Sequence, residues 1–489
     1  MQIVGRVALG VIFFFVAVAG DVGCAFASRG ANVMQNVEAP DYVLPKIDTE
    51  TDIAVEPDLV PERVLVEPGG NLEKKRKKFF RWKKKFKKEH RRLEPEIIAT
   101  SNDICRLIYE RGMLYEEEQV LRYLNEVAGR IAERSDVERD VGIEVKIVRD
   151  PLVNAFALAN GTVHIHTGAL ACLKSEAQLA FLLAHEISHI SEKDIVFNVK
   201  SSHEKIIAFK LFDIVLSPAA VFFGLFGDLA QFGFTLLHAS TITGYSRNIE
   251  ARADRDGILW ASAEGYHPRE AAEMLDLFLH EKEKYRTGEE IYFLMSHPSN
   301  KWRRKQLDKV ISKKYGGVAV GEVNETEFLL NMVSIKLYNA KLNMKMDRLV
   351  HAEENVKWVL ENFPKNPKAH NIAGEIYRLE AADVDKVKRE LNSKEWKKFK
   401  KDLKNEELKS MLVEKARNEY KEAIRLDGAF PDAHRGLALV SYDLNEKGEA
   451  LANFEKYLIL APNAKDKRYI NFMIKRIHKE KNKEKQEAK

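Results

Sequence analysis

One string of five residues, His185-Glu186-Ile187-Ser188-His189, constrains this chain more than any other feature. It sits among Leu182, Leu183, Ala184 and Ile190. Upstream, Ser175 and Gln178 form a capping-box pattern, so a helix is predicted to start there and run through His189. Residues four apart on a helix lie one turn apart on one face, where two imidazoles can grip one ion. Glu186 is adjacent and can reach a water held at that ion. Two histidines and a glutamate buried among these residues without partners would be costly, and a metal removes that cost. The plain alternative is a pair of core histidines satisfied by hydrogen bonds.

A catalytic zinc needs a third protein ligand and an open fourth position. The stretch from Tyr245 to Asp254 (YSRNIEARAD) is helical in pattern, and Glu250 and Asp254 fall one turn apart. Glu250 is the expected third ligand. Asp254 is the expected acceptor for the ring N–H of a liganding histidine. The competing reading is a solvated charged helix face.

Composition bounds the rest. The 489 residues suit two or three domains, and 45% hydrophobic content supports sizeable cores. The net charge of +5 is uneven: residues 73–92 hold thirteen Lys/Arg against two Glu, leaving −6 for the remainder. The chain as a whole is therefore not a nucleic-acid binder. An apolar stretch from Val7 to Ala19 follows Arg6, with Ala25 and Ala27 suiting cleavage before Ser28. Export with removal of residues 1–27 is the leading expectation. An uncleaved anchor and lipid attachment at Cys24 are alternatives. Cys105 and Cys172 then remain, as a pair or as two buried thiols.

Residues 28–72 carry five prolines and lack periodicity, as a disordered linker does. In residues 73–95, Phe79, Trp82, Phe86 and Leu93 recur at helical spacing among Lys and Arg. Such a segment suits an anionic membrane surface; a solvated tether is the alternative, and nucleic acid conflicts with export. Residues 96–320 are mixed α and β, with strands expected at 141–148 and on either side of Asn160-Gly161. The apolar stretch 206–237 is broken by Lys210, Asp213, Pro218 and Asp228, and is expected as a hairpin that covers the site, docks on a bilayer, or packs in the core.

From residue 325 to 483 the chain is helical and repetitive. Ala433, Ala438, Tyr442, Ala450, Phe454 and Pro462 resemble one tetratricopeptide repeat. A second copy starts at Pro367 with Ala369, Gly374 and Tyr377. It resumes at Ala416, Tyr420 and Ala423 after a charge-rich interruption of about 30 residues. A helix at about 465–479 would cap the stack.

The HEISH segment, the SRNIEARAD segment, and His297-Pro298 followed by Arg303 occur in the order found in gluzincin zinc metallopeptidases of the HtpX, Oma and CAAX-prenyl type. The architecture resembles BepA-like members, over about residues 96–470. The resemblance implies a fold class of α+β, mostly helical: a zincin-type peptidase domain with a small edge sheet, followed by an all-α tetratricopeptide-repeat solenoid. It implies one zinc ion per chain on His185, His189 and Glu250, with Glu186 as general base and Asp254 and Arg303 holding the ligands. His297 is implied as an oxyanion donor or as a reversible fourth ligand. Asn154, Ala155 and Phe156, with Gly161, Val163 and Ile165 of the next strand, are implied as an edge that aligns the substrate backbone. The implied activity is cleavage of misassembled or unfolded envelope proteins in the bacterial periplasm, in association with a membrane. The repeats would bind substrate or assembly machinery. Two other readings stand beside it: a chaperone or assembly scaffold with latent proteolysis, and a membrane-embedded peptidase acting on transmembrane substrates.

Overall fold

The computed structural model describes residues 94–138, 141–196, 245–284, 297, 300–316, 321–400 and 403–487. The expected signal, the linker, all but the end of the basic segment, and the apolar stretch 206–237 lie outside them. No helix among the described residues is long and apolar enough to cross a membrane.

The first half is built on a three-stranded sheet. Helix α1 (residues 94–110) and α2 (Glu118–Arg134) lead into β1 (Glu144–Val148), β2 (Ala155–Ala157) and β3 (Thr162–His166). Strand order is β1-β3-β2, with β1 parallel and β2 antiparallel to β3. Alternation sorts the side chains. Val145, Ile147, Val163, Ile165, Ala155 and Ala157 face the helical core. Val148 and Phe156 face Ile104, Ile108 and Met113 on the opposite side. The β2–β3 turn requires Gly161: its φ is +91°, and a Cβ there would lie 2.2 Å from the Gly142 carbonyl oxygen.

This order corrects one expectation. β3 is central and paired on both sides, so Gly161–His166 has no free edge for a substrate, and Val163 and Ile165 are fully buried core residues. Alternation reports which face a residue occupies, and is silent on where its strand sits in the sheet. Among the described residues the open edge is β2. His166 N donates to Asn154 O (3.0 Å) and Leu158 N to Thr162 O (2.9 Å). The backbone groups of 154, 156 and 158 are thereby turned to β3, and those of Ala155 and Ala157 point away from it.

A short helix, α3 (Thr167–Cys172), precedes α4 (Glu176–Ser191), which lies in the core and is buried from Glu176 to Ile190. Ser175 caps α4 by accepting from Gln178 N (3.2 Å), whereas the Gln178 side chain accepts from Lys174 N (2.9 Å) rather than from Ser175. Glu176, in the first turn, accepts from Tyr123 Oη (2.7 Å), Arg130 Nη2 (2.9 Å), Tyr266 Oη (2.6 Å) and Asn324 Nδ2 (3.1 Å). That carboxylate ties α4 to α2 and to two connecting segments. Helices α5 (Arg247–Ala263), α6 (Glu270–Lys284) and α7 (Asn300–Tyr315) complete this half. α5 approaches α4 closely, because Gly257 leaves room for the Phe181 ring 2.9 Å from where a Cβ would be. Cys105 and Cys172 are free thiols.

The second half is helical throughout: α8 (Glu325–Lys345), α9 (Leu349–Asn362), α10 (Pro367–Ala382), α11 (Val384–Glu390), α12 (Ser393–Lys400), α13 (Asn405–Leu426), α14 (Pro431–Asp443), α15 (Lys447–Leu460) and α16 (Lys467–Glu487). Packing pairs α8 with α9, α10 with α13 and α14 with α15, and α16 covers α15. α8 serves both halves: Phe328, Met332 and Ile335 join the first core, and Leu337 and Ala340 the next. The charged insertion between α10 and α13 is folded. Val387 and Leu391 pack against Val350, and Glu390 accepts the N–H groups of Val350 (2.9 Å) and His351 (3.0 Å) that open α9.

Candidate metal centre

α4 presents His185 and His189 one turn apart, with ring centroids 4.9 Å apart and planes at 86°. α5, capped by Ser246, presents Glu250 and Asp254. His185 Nε2 lies 3.7 Å from Glu250 Oε2, and His189 Nε2 lies 3.9 Å from Glu250 Oε1. His297 Nδ1 donates to Glu250 Oε1 (2.9 Å) and is 3.2 Å from His185 Nε2. One donor atom from each of His185, His189, Glu250 and His297 falls within 4.8 Å of the others, and all four residues are buried.

The carboxylates behind these atoms decide whether a cation fits. His185 Nδ1 is 3.2 Å from Asp254 Oδ1, and His189 Nδ1 is 2.8 Å from Asp194 Oδ2. A carboxylate only accepts, so both Nδ1 atoms carry hydrogen. In the neutral ring each Nε2 is then a lone pair, and the two lone pairs face each other at 3.3 Å. They cannot bond to one another. A cation between them and the Glu250 carboxylate satisfies both, and this donor set of imidazole nitrogen and carboxylate oxygen is one that zinc takes.

The surroundings bias the two rings in opposite senses. Burial lowers the His185 pKa, outweighing Asp254. For His189 burial also lowers it, but Asp194, Glu250 and Glu186 together raise it above the ordinary value. Burial alone would raise Glu250, yet His297 and Arg303 hold it well below the usual carboxylate range. Asp254 is held low in the same way, burial being outweighed by Arg303. Arg303 is 1% exposed. It donates to Asp254 Oδ2 from Nε (2.8 Å) and to Asp254 Oδ1 from Nη2 (2.5 Å), and its Nη1 lies 3.0 Å from Glu250 Oε2. Glu186 Oε1 is buried, accepts no hydrogen bond among the described residues, and lies 3.6 Å from His297 Nε2.

The structure therefore brings His185, Glu186, His189, Glu250, Asp254, His297 and Arg303 into one cluster. Pro298 lies outside the described residues. Asn154, Ala155 and Phe156 lie at β2, where both polar atoms of the Asn154 side chain are buried and without a hydrogen bond among the described residues. Phe156 stacks on His164 (4.9 Å, 7°) on the α1 side of the sheet. His164 and His166 take no part in the metal-type group, and His164 is kept neutral, pushed down to about 3 by burial and then by His166 and Lys146.

Three neighbours of the cluster carry no sequence signal. Asp194 follows the helix end, Arg252 pairs with it, and the Tyr245 ring stacks on His189 (4.0 Å, 11°). Spacing on one helix cannot reveal a contact that depends on how the chain turns after it.

Comparison with known proteins bears on the same residues. Residues 118–311 match Peptidase family M48. The chain is similar to the mitochondrial metalloendopeptidase OMA1 of Schizosaccharomyces pombe, 29% identical over 201 residues, 41% of this chain and 56% of that protein. It is similar to a putative beta-barrel assembly-enhancing protease of Vibrio cholerae, 30% identical over 159 residues, 31% of each chain. A protease HtpX homolog of Methylacidiphilum infernorum is 33% identical over 104 residues, 20% of this chain and 33% of that one. The matches thus span about a third to just over half of these relatives. The segment that matches Peptidase family M48, residues 118–311, is thus the one that holds the buried His185-His189-Glu250-His297 group, whose donor atoms suit zinc.

Proposed function

We propose that this chain is a zinc-dependent endopeptidase that cleaves misassembled or unfolded proteins in the bacterial cell envelope. The observation that carries the reading is the buried convergence of His185 Nε2 and His189 Nε2, 3.3 Å apart, beside Glu186, whose Oε1 accepts no hydrogen bond among the described residues.

His185, His189 and Glu250 would hold the ion. When bound, zinc lowers the pKa of a water and polarises the scissile carbonyl. Glu186 takes the proton of the attacking water and returns it to the leaving amine. His297, which faces both Glu250 and Glu186, is read as the donor to the oxygen that gains charge or as a reversible fourth ligand. Asp254 and Arg303 keep His185 and Glu250 oriented. A substrate strand adds to the open edge of β2, pairing with the backbone of Ala155 and Ala157 near Asn154 and Phe156, with little demand on side-chain sequence.

The periplasmic setting is supported by the N-terminal segment. A continuous apolar stretch after one arginine suits a secretory signal better than the amphipathic, Arg- and Ser-rich segment that directs import into mitochondria. The helix pairs from α8 to α15 are read as tetratricopeptide-type repeats. Supporting this, Ala369, Ala433, Ala438 and Ala450 are fully buried where helices touch, and Tyr420 is wedged beside Gly374. Stacked repeats suit the holding of a partner or of substrate.

The test is a comparison of proteins accumulating in cells that carry the parent or Glu186→Gln. The reading expects unassembled envelope proteins to accumulate with the variant. Full function of Glu186→Gln in cells would favour the scaffold reading instead.

A further inference from the structure

The two histidines of α4 are held alike by different parts of the chain. His185 Nδ1 meets Asp254, and Arg303 grips Asp254. His189 Nδ1 meets Asp194, and Arg252 grips Asp194. The first arm is drawn from α5 and α7. The second is drawn from the end of α4 and the side of α5, and it is closer to the surface: the Arg252 side chain is 22% exposed and that of Arg303 is 1% exposed.

Asp194 reaches its place because of an unfavourable turn. α4 ends at Ser191, and Lys193 takes a left-handed conformation with φ +56°. Glycine or asparagine ordinarily fills such a position after a helix, since a Cβ disfavours it. Here a lysine does so, and its Nζ is pinned by Glu94 (2.7 Å) and Glu138 (3.1 Å). The reversal folds Asp194 back beneath the ring of His189. Arg252 is oriented in turn: its Nε lies 3.7 Å from Asp256 Oδ2, which accepts from Ser188 Oγ (3.0 Å). Non-glycine residues in this conformation are rare and cluster where a site needs a side chain re-aimed.

We propose that Asp194 and Arg252 are positioning residues that fix the His189 tautomer and aim its Nε2 at the zinc site, delivered there by the Lys193 turn. The inference rests on the zinc reading above. A carboxylate behind a liganding imidazole raises its basicity and holds its ring, and loss of such a partner weakens metal binding about 10- to 100-fold.

The experiment uses the full chain. Zinc affinity is measured by competition with a chromophoric chelator for the parent, Asp194→Ala, Asp194→Asn and Arg252→Met, with far-UV circular dichroism to verify folding. The visible spectrum of each cobalt-loaded protein reports the ligand field. Asp194→Ala is expected to lose about 10- to 100-fold in affinity and to shift the cobalt bands. Asp194→Asn keeps an acceptor for Nδ1–H and should recover most of that loss. Arg252→Met should fall between, and it reads the same arm if Asp194→Ala does not fold. Zinc affinity within twofold of the parent and an unchanged cobalt spectrum in both Asp194→Ala and Arg252→Met would overturn this arm alone. A parent that binds no zinc would overturn both this arm and the reading it rests on.

Discussion

Lys336 Nζ, on α8, donates to the carbonyl oxygen of Ala171 at 2.5 Å. The ammonium also lies 4.2 Å from the centre of the Trp358 ring. This contact joins the helical half to α3 of the peptidase half. Burial pushes the Lys336 pKa down to about 8, despite Cys172 and Glu281 nearby. The unfolded chain therefore binds the proton more tightly between about pH 8 and the ordinary lysine range, and stability must rise with pH across that window. Below it the charged form carries its full burial cost, about 3 kcal/mol. Lys336→Met removes that cost along with one hydrogen bond and one cation–π contact, leaving a net gain of about 1–2 kcal/mol at pH 7. The advantage over the parent should shrink towards pH 10.5. Urea unfolding of both proteins at several pH values checks the sign.

Glu176 makes the opposite case. It is a buried carboxylate with four donors. Glu176→Ala leaves Arg130, Tyr123 and Tyr266 facing a cavity, and should destabilise the peptidase half by about 3–5 kcal/mol. Glu176→Gln should cost less. Thermal unfolding separates the two, and a variant as stable as the parent would remove Glu176 from its role as tie.

The segment between α10 and α13 is expected to be structural. Glu390→Ala frees the first N–H groups of α9 and should cost about 1–2 kcal/mol, the usual worth of a lost helix cap. Hydrogen exchange should rise at Val350 and His351 first.

Removal of metal should also lower stability. With zinc at about a thousandfold excess over its dissociation constant, binding contributes about 4 kcal/mol. Addition of a chelator should lower the melting temperature of the parent and leave His185→Ala unaffected. For Glu250→Ala, zinc stoichiometry should fall well below that of the parent.

The HEISH pair was legible because an i, i+4 spacing on an apolar helix leaves little else for two histidines to do. Glu250 and Asp254 were legible by the same periodicity. The place of β3 was not. Val163 and Ile165 alternate as an edge strand's residues would, and only the pairing of β1 across a 13-residue connection (149–161) makes β3 central. Asp194 was hidden by the left-handed Lys193, where local preference points to glycine. The packing of the charged insertion was not legible because four apolar residues, Val384, Val387, Leu391 and Trp396, are diluted among lysines. Tertiary contact gives them their role.

The central claim is that Glu186 works as a base beside a zinc held by His185, His189 and Glu250. Its most direct measurement is cleavage of an unfolded protein by purified parent and Glu186→Gln, with zinc content determined on the same samples. The account predicts unchanged zinc in the variant and a loss of cleavage of at least about a hundredfold. Unchanged zinc with cleavage close to that of the parent would contradict it.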